Sequence, residues 1–203
     1  MNGKEQVWEQ VEPFRQQYLV GPLAHLPVDV FTLAEIELQL NIIPFDDLYE
    51  KYERDAALIQ DFSGLYVDAE AYIIWEKGPR WKQRRLRFSV AHELGHYILH
   101  REITAKIEFK TFDDFALWTK GNHGQQYTLE QEANEFGGRL LVPPGRLRVA
   151  FDEFAVGAKH ILPNWFTSPD LRHGFAESAR RIFEVNTQVI ETRLDREGIW
   201  PAS

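Results

Sequence analysis

The chain contains no cysteine. Disulfides and thiolate metal sites are therefore excluded, and any bound zinc must be held by His, Asp or Glu. No run approaches the roughly 18 consecutive apolar residues of a membrane span. The opening stretch MNGKEQVWEQVEPF lacks the apolar core of a signal peptide, so the simplest expected location is the cytoplasm. Positive charge is in deficit, with 23 Lys and Arg against 31 Asp and Glu and a net charge of −8. The surface as a whole repels nucleic acid and anionic lipid, which leaves room for a local basic patch. There is no internal repeat and no low-complexity segment. What is present argues for a compact globular protein: 44% hydrophobic residues, six tryptophans and fourteen phenylalanines in 203 residues.

The most informative stretch is RRLRFSVAHELGHYILH at 84–100. It contains His92, Glu93 and His96 in the pattern His-Glu-x-x-His. On a helix the two histidines lie on one face a turn apart, so both imidazoles reach one zinc ion. Glu93 then points at the open coordination position, where a carboxylate can act as a base on water. Phe88, Ala91, Gly95, Ile98 and Leu99 surround this face with apolar or small residues at helical intervals. Two histidines and a glutamate in so apolar a helix need buried partners. The chain departs from the metzincin pattern, which needs Gly at 99 and His at 102, where the chain has Leu99 and Glu102. His100 lies one turn beyond His96 and is read as a residue of the helix end rather than a ligand.

Upstream, the spacing of Val7, Val11, Phe14, Tyr18 and Leu19 predicts a first helix over 4–20. Pro27 opens a second over about 28–40. Ile42-Ile43-Pro44-Phe45 reads as an edge strand, since Pro44 bars a central position. Residues 62–76 predict a hairpin with Leu65–Val67 as one arm, Tyr72, Ile73, Ile74 and Trp75 as the other, and Asp68 to Ala71 as the turn. Arg80, Lys82, Arg84, Arg85 and Arg87 form a basic run, read as a face that pairs with the acidic surplus. The stretch 101–128 has little period, and its length suggests a functional or flexible segment near the site. His123 within it is read as a loop residue.

Thr128 is a candidate N-cap for a helix over 129–141. On that helix Glu130, Ala133, Asn134, Gly137 and Leu141 share a face, whereas Glu132 and Glu135 point elsewhere. A carboxylate among small and apolar neighbours suits a third zinc ligand. It also suits an acid favoured by the helix dipole. Asn134, one turn on, is placed to hydrogen-bond a ligand histidine. The C-terminal part, 171–199, reads as two helices broken at Glu184-Val185-Asn186, the outline of a helix-turn-helix. Its second helix mixes Glu191, Asp195 and Glu197 with Arg193 and Arg196, which suits packing or partner recognition better than DNA.

Taken together, RRLRFSVAHELGHYILH and EQEANEFGGRLLVP at 130–143 resemble the ImmA/IrrE family of zinc metallopeptidases. The resemblance extends more weakly to 26–45 and 183–194. It implies His92, His96 and Glu130 as Zn2+ ligands and Glu93 as the base. It implies a cytoplasmic protease, acting in transcription regulation and stress response, that cuts a helix-turn-helix repressor often encoded beside it. Gly137-Gly138 stands where alanines are more usual, and Val142 where methionine is common.

The expected fold is α+β and zincin-like. A small antiparallel sheet packs with the His-Glu-x-x-His helix, a glutamate-bearing helix and a helical C-terminal region. One domain spans 1–203: N-terminal helices and an edge strand (1–60), the sheet and zinc-site helices (61–143), and the helical C-terminal region (144–203). No DNA or membrane partner is expected. Tyr127, His160 and His173 are candidate oxyanion donors. Tyr72, Ile73, Ile74 and Trp75 are the candidate substrate-binding edge, because an exposed strand edge can hold an extended peptide. The rival reading is a non-catalytic zinc-containing module that sequesters its partner.

Overall fold

A computed structural model describes residues 3–74, 77–109, 111–119 and 124–201. Helix α1 (Gly3–Tyr18) buries Val7, Val11 and Phe14. The second predicted helix is shorter and less regular. Asp29 caps α2 (Val30–Thr32) by accepting from the Phe31 and Thr32 amides, and a π-helical turn, Leu33–Glu37, follows. Strands β1 (Asn41–Phe45), β2 (Ala56–Leu58) and β3 (Gly64–Asp68) form a sheet in the order β1-β3-β2, with the short helix α3 (Leu48–Tyr52) between the first two.

The sheet is mixed rather than antiparallel: β1 runs parallel to β3, and only β2 pairs antiparallel with it. Pro44 sits on an edge strand, where a missing donor costs no ladder bond on the open side. The predicted second hairpin arm is absent. Asp68 instead accepts a hydrogen bond from the Ala71 amide at 2.9 Å and caps helix α4 (Ala69–Ile73). Ala69, Glu70 and Ala71 are good helix formers, and an acid placed three residues before an amide is a cap rather than a turn. Tyr72 and Ile73 are therefore helical, Ile74 ends that turn, and Trp75 lies outside the described residues. Tyr72, Ile73 and Ile74 thus present no strand edge. The strand pairing with β3 on that side is β2.

Helix α5 (Arg80–Leu99) runs through the centre and buries Leu86, Val90, Ala91 and Leu94 together with the motif. Short helices α6 (Arg101–Thr104) and α7 (Phe112–Thr119) follow; His123 lies outside the described residues. Helix α8 (Gln125–Leu141) starts one turn earlier than Thr128, with Gly124 at its N-cap. Then come α9 (Pro144–Ile161), α10 (Pro169–Phe183) and α11 (Thr187–Arg196). The break between the last two passes through Glu184 in the left-handed region, φ 49 and ψ 53. Val11, Leu33, Leu65, Leu94, Phe136 and Ile190 belong to one contiguous core. Among the described residues no helix is long and apolar enough to cross a membrane.

Helices α5 and α8 approach closely because small residues face each other. A Cβ on Gly95 would lie 3.0 Å from the Ala133 Cα and carbonyl oxygen, and one on Gly137 would lie 3.0 Å from the His92 backbone nitrogen. That approach carries Glu130 to the histidines. Four of the five basic residues of the run are bonded to residues outside their own helix. Arg84 pairs with Glu184 at 3.3 Å, Arg85 with Asp55 at 2.7 Å and Lys82 with Glu70 at 2.9 Å, and Arg87 donates to the Val28 carbonyl at 2.8 Å. In α11 the buried Arg193 pairs with Glu135 of α8 at 2.6 Å, so this arginine is turned into the protein.

Candidate metal centre

His92 and His96 project from α5 toward Glu130 of α8. The two Nε2 atoms are 3.1 Å apart. Glu130 Oε2 lies 3.2 Å from His92 Nε2, and Oε1 lies 3.5 Å from His96 Nε2. Three ligands held tetrahedrally at about 2.0–2.1 Å from a zinc ion would stand about 3.3 Å from one another. Among the described residues this is the cluster of acidic and imidazole side chains whose donor atoms could hold one ion.

The second nitrogen of each imidazole is also engaged. His92 Nδ1 lies 3.0 Å from Asn134 Oδ1. With its proton donated there, the Nε2 lone pair faces the centre. His96 Nδ1 lies 3.0 Å from His100 Nδ1, and His100 Nε2 lies 3.0 Å from Glu132 Oε2. One tautomer satisfies the chain: His96 Nδ1–H donates to His100, whose Nε2–H donates to Glu132. Burial, then the nearby charges of His96 and His92, push the His100 pKa down to about 3. It is thus neutral and able to accept. Burial raises the Glu132 pKa.

At the centre, burial works against the charged form of His92, but its bond to Glu130 and the Glu93 and Glu130 charges outweigh this and raise its pKa. Burial likewise works against ionised Glu130, but hydrogen bonds from His92 and His96 hold its carboxyl well below the usual range. The donor set, spacing and outer partners fit a divalent metal with one position left open.

Glu93 is buried, and its Oε2 accepts from the Leu58 amide of β2 at 2.8 Å. Two hollows, of about 300 and 400 Å³, flank the centre, and Arg54, Glu93 and Glu130 line both. Arg54 was not singled out from sequence, where a lone arginine carries no signal. Its Nε is buried without a hydrogen-bond partner, and its guanidinium lies 5.5 Å over the Phe115 ring. Neither hollow is lined by Tyr127, His160 or His173. Tyr127 is exposed, and His173 is paired with Glu191 at 2.9 Å.

An α+β fold with two histidines and a glutamate converging in this way is the arrangement of a metallopeptidase. The particular family follows from comparison: residues 60–195 match peptidase M78, the IrrE N-terminal-like domain. The chain belongs to this ImmA/IrrE family. A search of curated proteins finds no match.

Proposed function

We propose that this protein is a zinc-dependent endopeptidase whose substrate is a helix-turn-helix repressor or antitoxin-like protein. The observation that carries the reading is the convergence of His92, His96 and Glu130 at 3.1–3.5 Å around one point beside Glu93. On this reading the three hold the metal. A zinc ion bound there supplies Lewis acidity toward water and a peptide carbonyl. Glu93 takes the proton of the attacking water and returns it to the leaving amine. Arg54, at the junction of the two hollows, donates to the carbonyl oxygen as negative charge develops.

The edge for an extended substrate is assigned to β2. The Asp68 amide donates to the Asp55 carbonyl and the Ile59 amide to the Gly64 carbonyl. Alternation along the strand therefore turns Asp55, Ala57 and Ile59 toward β3, and Ala56 and Leu58 away from it. The Leu58 amide is taken by Glu93. The carbonyl of the half-buried Leu58 remains as a partner for a peptide backbone, whereas Ala56 is buried.

The test is cleavage of the repressor encoded beside this protein, with and without a chelator. Metal-dependent cuts at a fixed position support the reading. Tight binding without cleavage by zinc-loaded protein would favour the sequestering module.

A further inference from the structure

We propose that the smaller hollow is a specificity pocket for one large apolar side chain next to the scissile bond. The substrates would then be extended peptides with Phe, Tyr, Trp, Leu or Met at that position. This rests on the endopeptidase reading and names what that site selects. The hollow is about 300 Å³, the low end for ligand pockets, and suits one side chain rather than a folded element. Glu93, His96 and Glu130 belong to its lining, so whatever fills it lies close to the reacting centre.

Its walls are aromatic. Phe45 of β1, Tyr66 of β3, and Phe109, Phe112, Phe115 and Trp118 from the α7 region all line it. The rings brace one another around the space. Phe45 stacks on Phe112 at 5.5 Å and meets Tyr66 edge-on at 5.3 Å, and Phe109 packs on Trp118 at 5.6 Å. None of the six is fully buried. Rings that only built a core would close on themselves, because half-covered apolar area is a standing cost that burial removes. An apolar guest removes that cost. A carboxylate guest would lose hydration among the rings and meet Glu93 and Glu130 in the lining, with Arg54 as the one opposing charge there.

The experiment uses full-length zinc-loaded protein and a synthetic peptide mixture of random sequence, with cut sites read by mass spectrometry. Large apolar residues should be enriched on the order of ten-fold or more over Ala and Asp at one fixed position beside the cut. Ile59→Trp fills the hollow and should abolish that enrichment. Phe115→Ala enlarges it and should shift preference toward Trp. If Phe115→Ala unfolds, Ile59→Trp decides. Cuts without apolar enrichment, or an enrichment that Ile59→Trp leaves intact, overturn the pocket while leaving the peptidase standing.

A binding arm separates the two claims. Glu93→Gln protein is titrated calorimetrically with acetyl-Gly-Gly-Phe-Gly-Gly-amide and with its Ala counterpart. At least ten-fold tighter binding of the Phe peptide, lost in Glu93→Gln/Ile59→Trp, supports the pocket even if no peptide is cut. Equal binding of the two peptides overturns it.

Discussion

The Glu93 carboxylate accepts a hydrogen bond from the Leu58 amide at 2.8 Å. This bond ties the proposed base to the strand proposed to hold the substrate. The amide points away from β3, so Glu93 is held at the outer edge of β2, the side proposed to receive a peptide. Base and edge keep a fixed register because one backbone donor joins them.

The ligand assignment distinguishes two glutamates on one helix. Glu130→Ala should lose zinc, because it removes a donor from the centre. Glu132→Ala should keep zinc but weaken it about ten-fold, because it frees only the outer end of the His96–His100 chain. Equilibrium competition with a fluorescent chelator measures both. Full zinc retention by Glu130→Ala contradicts the assignment.

Two adjacent glycines should behave differently. At Gly137 a Cβ would stand 3.0 Å from the His92 backbone nitrogen, whereas at Gly138 it meets the Arg193 side chain, Cδ at 3.4 Å and Nη1 at 3.8 Å. Gly137→Ala should push α8 from α5 and reduce zinc affinity. Gly138→Ala should be neutral or stabilising by up to about 1 kcal/mol through helix propensity. Thermal melts and zinc titrations of the two variants check this. Equal zinc affinity in both would show that the helices yield without moving Glu130.

Zinc binding should weaken in mild acid. The raised pKa of His92 means that it holds its proton to a pH above its ordinary 6.5, and the proton must leave before Nε2 can bind metal. Affinity should therefore begin to fall, as pH drops, above 6.5. Without metal the sign differs. The His92–Glu130 pair contributes fully between the ordinary carboxylate value of 4.5 and the ordinary imidazole value of 6.5. That contribution fades as pH rises through the folded His92 value or falls through the folded Glu130 value. Melting curves of metal-free protein against pH, which should peak inside that window, measure it.

Arg54 should matter for turnover and not for metal. Arg54→Ala should lower kcat by roughly 10² to 10³ with zinc content unchanged, and Arg54→Lys should recover part of it. Wild-type kcat in Arg54→Ala would remove Arg54 from the mechanism.

The legible parts of this molecule were those with a period. Histidines one turn apart, a glutamate facing small residues and a proline on an outer strand each carry spacing or backbone constraint. β2 was not legible: it is three residues long, and Ala56 and Ala57 are weak strand formers. α4 was misread because Asp68 looked like part of a turn, and only its bond to the Ala71 amide shows it as a cap. The outer partner of His96 was also hidden. The helical face taken from sequence turns Glu132 away from the centre, yet Glu132 reaches His100 from the side. Arg54 became visible only when the two hollows met at its side chain.

The central claim is that Glu93 performs proton transfer at a metal held by its neighbours. It is tested most directly by the cleavage rate of the proposed repressor substrate by Glu93→Gln, at zinc content and melting temperature matched to wild type. The account predicts a loss of at least about 10² to 10⁴, the usual contribution of a general base, with repressor binding retained. Cleavage by zinc-loaded Glu93→Gln at the wild-type rate would contradict it.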